Sequence, residues 1–209
     1  DVVLEREATN SDAGVDANAI PGLAQSLGII APHEQAEDEN LRLGVEVHGV
    51  IASRDDVDSY SFEALPGTEI WFDIDRTATG LDTVVELVDA TGNVLAQSDD
   101  AHREAIGELP VYFNASILGD DDVHPLQRSF TDFYPDSAFG QPKDEYTLNP
   151  RDAGFRVRLP GPTGQLRTFY VRVRSSNLLP GENRTKLQDP NKVDQGLTRG
   201  AYQMQVRIQ

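Results

Sequence analysis

The chain has 209 residues, and its 35 acidic against 18 basic residues give a net charge of −17. This charge argues against a nucleic-acid-binding protein, which needs positive patches to displace counterions, and against docking on anionic lipid. The absence of cysteine excludes disulfides, thiolate metal sites and thiol catalysis, and no apolar run is long enough to insert into a membrane.

The acidic residues are concentrated in one half of the chain, because the first 100 residues hold 22 acidic and 4 basic side chains. Three explanations are consistent with this asymmetry. The acids form a solvated surface, or some of them bind a hard divalent cation through their oxygens. Alternatively, an acidic end of one module pairs head-to-tail with a less acidic end of the next.

Residues 1–43 are polar and poorly periodic, which predicts a linker or strand segment packed on a larger domain. Residues 20–27 are the only helix-like stretch here, and they allow at most two turns. The acidic run at 35–40 has no apolar face and is predicted to be a loop.

From Gly44 onwards, apolar side chains alternate with polar ones at a period of two. The alternation runs through Val45 and Val47, and later through three segments near residues 60, 70 and 155. Residues 83–88 are continuously apolar enough to predict a strand buried on both sides. Further alternating segments at 169–174 and 202–208 complete the pattern. Such a series without intervening helices predicts an all-β fold, an antiparallel β-sandwich over residues 44–209.

Two segments interrupt the strands, at about residues 101–150 and 177–198. The first is far longer than an ordinary loop and holds seven aromatic residues, so we expect an ordered insertion. Its aromatics form either a satellite core or a partner-binding platform, for which the candidates are Phe130, Phe133 and Tyr134. The second interruption is polar and predicts an exposed hairpin extension.

Several short motifs together resemble the bacterial pre-peptidase C-terminal domain. They are the strand residues Val47-His48-Gly49-Val50-Ile51, the segment Asp56-Val57-Asp58-Ser59-Tyr60-Ser61-Phe62, and the closing Gly200-Ala201-Tyr202. The resemblance covers about half of the chain, in two blocks around the long insertion. It implies a jelly-roll type of β-sandwich, found as a non-catalytic module in secreted bacterial peptidases and in large surface proteins, and often bound to calcium.

The same resemblance implies a Ca²⁺ site between the N-terminal linker and the start of a strand. Members often begin with an E-x-E-P-N signature, and the nearest match here starts at Glu5, although its proline is missing. Carboxylates at i and i+2 of a strand point the same way, and so many would repel one another without a cation. The alternative is an acidic linker that binds no ion. The candidate ligands are Glu5, Glu7, Asn10, Asp12, Asp56 and Asp58.

Four arginines occupy positions that the alternation predicts to face outward, namely Arg156, Arg158, Arg172 and Arg174. If their strands are neighbours, they form a basic ladder that could contact the acidic end of another module. The alternative is that they pair with acidic side chains of this same chain.

No catalytic constellation stands out, because the four histidines are scattered and no H-E-x-x-H, G-x-S-x-G or P-loop motif is present. Together with the family resemblance, this predicts a non-catalytic module, which the resemblance implies to be secreted or at the bacterial cell surface. Such a module would act as a calcium-rigidified spacer, adhesion or assembly unit, with neighbouring modules as partners. The alternative is a substrate-targeting module of a secreted hydrolase that binds an extracellular polymer.

Overall fold

The computed structural model describes residues 1–6, 18–30, 44–78, 80–105, 109, 111–119, 122–125, 151–177 and 196–208. In these residues the chain forms twelve strands, a 3-10 turn at Pro21–Leu23 and a short helix α1 at Ala101–Ala105. The strands are β1 (Val2–Leu4), β2 (Gln25–Ile29), β3 (Gly44–Ile51), β4 (Val57–Ala64), β5 (Glu69–Asp75), β6 (Thr83–Val88), β7 (Val94–Ser98), β8 (Tyr112–Phe113), β9 (Val123–Pro125), β10 (Gly154–Arg158), β11 (Arg167–Ser175) and β12 (Gly200–Ile208).

The strands form two six-stranded sheets that pack as a sandwich. The first sheet, sheet A, has the order β1-β3-β12-β5-β10-β9, and the second, sheet B, has the order β2-β4-β11-β6-β7-β8. Of the eight central strands, β3 to β6 alternate between the sheets, β7 follows β6 in sheet B, and β10, β11 and β12 alternate again. The chain therefore has the jelly-roll arrangement, and the prediction of an all-β sandwich is confirmed.

The sheets are mixed rather than purely antiparallel. The central strands pair antiparallel, but β1 runs parallel to β3 and β2 runs parallel to β4. Both parallel strands lie at sheet edges and come from the N-terminal segment. The helix-like reading of residues 20–27 is wrong beyond the single 3-10 turn, because β4 offers a free edge to which Gln25 and Ser26 add.

The hydrophobic core lies between the sheets and is built by the alternating apolar residues. Phe62 and Phe169 come from sheet B, while Phe72 and Phe155 come from sheet A. Their rings meet with centroids 5.9 Å apart for Phe62 and Phe72, and 5.3 Å apart for Phe72 and Phe155. Strand β6 is buried on both faces, as its continuous apolar sequence predicts.

The chain ends meet at one end of sheet A. The Asp1 carbonyl accepts a hydrogen bond of 2.9 Å from the Glu46 amide, and the N-terminal amino group donates one of 3.4 Å to the Gly44 carbonyl. On the other side of β3, Arg207 of the last strand pairs with Gly44. The first described strand, β1, and the last, β12, thus lie on either side of β3, and Asp1 and Arg207 lie at the same end of β3.

Only parts of the two interruptions fall within the described residues. The first begins with α1, and then β8 and β9 extend sheet B and sheet A respectively. Residues 126–150 and 178–195 lie outside the described residues, so the ordered insertion and the hairpin extension stay predictions.

Candidate functional site

Asp58 lies in the core-facing row of strand β4. Side chains of a strand alternate between its faces, so Asp58 points the same way as Tyr60 and Phe62. All three are buried, and Asp58 has no exposed surface at all. A carboxyl group in this position needs hydrogen-bond partners, since an unpaired buried charge is strongly unfavourable.

Two tyrosines supply a hydrogen-bonded chain to Asp58. The Tyr202 hydroxyl donates to Asp58 Oδ2 at 2.7 Å, and the two tyrosine oxygens of Tyr60 and Tyr202 are 2.7 Å apart. Because a phenol carries one proton, Tyr60 must be the donor to Tyr202. Burial raises the pKa of both tyrosines, so both keep their protons. The amide of Asn18 donates to the other Asp58 oxygen at 3.4 Å.

Gly49 makes room for this chain of hydrogen bonds. It pairs with Tyr202 across β3 and β12, and a Cβ at position 49 would lie 2.4 Å from the tyrosine hydroxyl oxygen. Only glycine therefore allows the Tyr202 ring to cross β3 and reach Asp58 on β4. This contact joins residues from all three motifs that carry the family resemblance.

The N-terminal segment brings a second carboxyl group to Asp58. Directly after β1, the Glu5 amide donates to the His48 carbonyl at 2.9 Å, and Glu5 Oε2 accepts a hydrogen bond of 2.6 Å from the Val50 amide. The Glu5 carboxyl group lies near enough to Asp58 for its charge to raise the pKa of Asp58. The buried Glu5 Oε1 has no hydrogen-bond partner within the described residues.

The surroundings of Asp58 disfavour its charged form. Burial raises the pKa of Asp58 to about 11, and the hydrogen bond and charge of Glu5 act in the same direction. The hydrogen bond from Tyr202 opposes the shift, while the negative charge of Asp56 adds to it. At neutral pH and without a cation, the pair therefore keeps a proton.

Asp56 stands at the rim of the same region, before β4. It is buried, and its Oδ2 accepts a hydrogen bond from the Ala52 amide, which closes the turn between β3 and β4. Of the six predicted calcium ligands, the structure describes Glu5, Asp56 and Asp58, which lie in one region of the fold, and their role as ligands stays a prediction. The other three, Glu7, Asn10 and Asp12, lie outside the described residues.

The oxygen chemistry of this cluster fits a hard cation, although the described residues do not complete a coordination shell. Ca²⁺ takes six to eight oxygen ligands, mainly carboxylate and carbonyl oxygens. Glu5 and Asp58 offer such oxygens, one of them without a protein donor. Within the ranges that the structure describes, no group of three or more acidic or histidine side chains is arranged to hold a metal ion. Further ligands would have to come from elsewhere, as the sequence predicts for residues 7–12.

The predicted basic ladder is wrong, because its four arginines lie in different sheets. Arg156 and Arg158 are on β10 in sheet A, whereas Arg172 and Arg174 are on β11 in sheet B. Arg156 lies 3.5 Å from Glu69 and over the Trp71 ring at 5.9 Å. Arg158 is 3.4 Å from Asp122. These two pairs match the alternative in which the arginines bind acids of the same chain.

The prediction that Arg172 and Arg174 face solvent is also wrong. Both are buried, because Glu86 on the adjacent β6 neutralises part of their charge. Arg172 Nε lies 2.6 Å from Glu86 Oε2, and Arg174 lies 3.0 Å from the other carboxylate oxygen. Gln97 on β7 donates a further hydrogen bond to Glu86. No surface for a partner is formed here by these two arginines.

This network is part of a polar row across sheet B that sequence analysis missed. The strand register places five polar residues side by side on five strands that are adjacent in the sheet, β4, β11, β6, β7 and β8. These residues are Ser59, Arg172, Glu86, Gln97 and Tyr112. The available signal was Glu86 itself, an acidic residue inside a strand predicted to be buried on both sides. A buried carboxylate requires cationic neighbours, and β11 offers two arginines at the matching spacing.

The aromatic platform falls outside the described part of the chain. Phe130, Phe133 and Tyr134 belong to residues 126–150, so their partner-binding role stays a prediction. Among the described residues, no helix is long and apolar enough to cross a membrane. No protein-family model matches this chain, and a search of curated proteins finds no similar protein.

Proposed function

We propose that this chain is a non-catalytic, extracellular module of a larger secreted bacterial protein, in which Ca²⁺ fixes the N-terminal segment against the sandwich. The observation that carries this proposal is the contact between Glu5, which follows the first strand, and Asp58, which lies in the core. It acts as a spacer, adhesion or assembly unit, as members of the pre-peptidase C-terminal family do.

The proposal is supported by the way the N-terminal segment is attached. Strand β1 has three residues and pairs only with β3, an edge contact that is weak in isolation. Its Glu5 side chain, held by the Val50 amide, brings one carboxyl group beside another. A divalent cation would replace the proton that this pair keeps and would bind oxygens of both groups, so the segment would be held more firmly when the ion is present.

The residues that would hold Ca²⁺ are Glu5 and Asp58, together with Asp56 at the rim and donors from residues 7–12. When bound, the ion supplies positive charge and accepts several oxygen ligands. Tyr60 and Tyr202 would orient the Asp58 carboxyl group, while Gly49 keeps space for that orientation. The role of the site is therefore mechanical, since it couples a flanking segment to a rigid scaffold.

The test is thermal unfolding with calcium and with chelator. At a Ca²⁺ concentration one hundred times Kd, binding to the folded state alone stabilises it by about 2.7 kcal/mol. For a chain of this size we expect the melting temperature to rise by roughly 5–10 °C. Magnesium should give a smaller shift, because it demands a tighter octahedral shell.

Matched variants separate a site-specific effect from general screening of the −17 charge. Glu5→Gln and Asp58→Asn should each abolish most of the calcium shift. Glu63→Gln removes an exposed charge from the same strand as Asp58 and should leave the shift intact. An equal calcium response in all three variants, or no response in the wild-type protein, contradicts the proposal.

A further inference from the structure

A cleft of about 650 Å³ lies at one end of the sandwich, apart from the Glu5–Asp58 site. One wall is the turn between β3 and β4, and the other is the segment that leads into β12. Its size lies within the range of ligand-binding clefts in proteins. Residues that line it include Ser53, Arg54, Asp55, Leu197, Thr198 and Arg199.

Hydrogen bonds fix the two walls relative to each other. The Gly196 amide donates to the Arg54 carbonyl at 2.8 Å, which joins the walls directly. Thr198 is held from two sides, since its amide donates to Ser175 Oγ at 3.0 Å and its hydroxyl oxygen accepts from the Asp82 amide at 2.9 Å. These hydrogen bonds therefore hold both walls of the cleft in defined positions.

Both arginines of the cleft are exposed. Within the described residues, six other arginines form ion pairs with acidic side chains, whereas Arg54 and Arg199, like Arg6, Arg76 and Arg167, form none. Asp55, the acidic residue of the lining, has interactions of its own. The cleft therefore presents two guanidinium groups whose charge no ion pair of the described residues offsets.

We propose that this cleft binds carboxylate groups of an acidic polypeptide, and that the occupant is the acidic half of a second copy of this chain. A guanidinium group offers a planar fork that matches a carboxylate, and paired forks favour a run of acids over a single ion. The first 100 residues supply such runs, with 22 acidic side chains against 4 basic ones. The cleft thus replaces the four predicted arginines as the receiving surface for head-to-tail assembly.

This inference rests on the assembly part of the proposed function but not on calcium. The two are distinguishable because self-association is measured in excess chelator, where the calcium site cannot contribute. Absence of the calcium-dependent shift would contradict the calcium site but not the cleft proposal. Monomeric behaviour in chelator would contradict the cleft proposal but not the calcium site.

The experiment measures self-association by analytical ultracentrifugation at low and high salt. We expect the wild-type chain to associate at low salt and to dissociate at high salt, because exposed charge pairs are screened. The double variant Arg54→Gln/Arg199→Gln should weaken association roughly tenfold or more. Arg167→Gln is the matched control. Arg167 is exposed and lies outside the cleft, so this substitution removes the same type of charge from another place.

A peptide with the sequence of residues 34–40, EQAEDEN, tests the ligand class directly. Binding of this peptide to wild-type protein, lost in the double variant and kept in Arg167→Gln, supports the carboxylate site. Peptide binding without self-association overturns the second copy as the occupant. Equal association and equal peptide binding in all three proteins overturn the proposal.

Discussion

Position 49 of the site strictly requires glycine, the smallest residue. Gly49 lies under the Tyr202 ring, and a Cβ there would approach the ring carbon Cζ and the hydroxyl oxygen to 2.4 Å. The Tyr202 hydroxyl is the end of a buried side chain that two hydrogen bonds hold in place, so it has little freedom to move away. A single methyl group at this position should therefore disturb three strands together.

We predict that Gly49→Ala destabilises the fold by about 1–3 kcal/mol, because an overpacked core forces side chains from their preferred positions. This corresponds to a fall of roughly 3–10 °C in melting temperature. Gly22→Ala is the control, as a Cβ at Gly22 would meet no atom within 4 Å. Equal melting temperatures of the two variants would refute the role assigned to Gly49.

Alternation in the sequence predicted which residues share a face, but not what covers that face. Tyr60, Phe62 and Phe72 were identified correctly as inward-facing, because their apolar bulk leaves only one choice. Arg172 followed the same alternation and was placed in solvent, yet it is buried beside Glu86. The period of a strand is a local property, whereas burial of its second face depends on which strand lies next to it.

At the scale of elements, the cross-strand row of sheet B concentrates its charge on Glu86. This carboxylate lies between two guanidinium groups and has almost no exposed surface. Removing its charge would take away the carboxylate that both Arg172 and Arg174 contact in the core. The pair between Arg156 and Glu69, by contrast, is only half-buried and can exchange its partner for water.

We predict that Glu86→Gln destabilises the protein by about 3–5 kcal/mol, the range for breaking a buried ion pair. Glu69→Gln should change stability by less than about 1 kcal/mol, because that pair is partly hydrated. Urea denaturation of both variants measures the difference. Similar losses in the two variants would show that burial of Glu86 does not govern its contribution.

The partnership of strands is a second property that the local sequence does not encode. Strands β10 and β11 are neighbours in the chain and carry similar arginine patterns, but they belong to opposite sheets. The jelly-roll connection requires this crossing, since most consecutive strands of the fold, β10 and β11 among them, lie in opposite layers. The calcium site stays a prediction: Glu5 lies near enough to Asp58 for its charge to act on that carboxyl group, but the described residues form no metal-binding group of three or more acidic or histidine side chains.

At the scale of the whole molecule, the acidic composition makes stability depend on pH. Glu86 is the clearest case: burial raises its pKa, but Arg174 and Arg172 outweigh burial and lower that pKa from 4.5 to about 2. A carboxyl group whose pKa is lowered on folding stabilises the native state above its unfolded pKa. This contribution is lost as the pH falls from about 4.5 towards 2.

We therefore predict that the stability gap between wild-type protein and Glu86→Gln is constant from pH 7 to about 5 and narrows at lower pH. The other carboxyl groups are common to both proteins, so their titration cancels in the difference. Urea titrations at pH 6, 4 and 3 measure the gap. A gap that stays unchanged down to pH 3 would contradict the assigned pairing.

The side-by-side position of the two chain ends on β3 has a mechanical consequence. Any polypeptide joined to Asp1 and to Ile208 would leave the sandwich from the same side, so that tension between them would run across the strands. Such a load would break the hydrogen bonds of β12 sequentially rather than shear them all at once. A module loaded in this way would therefore unfold at low force.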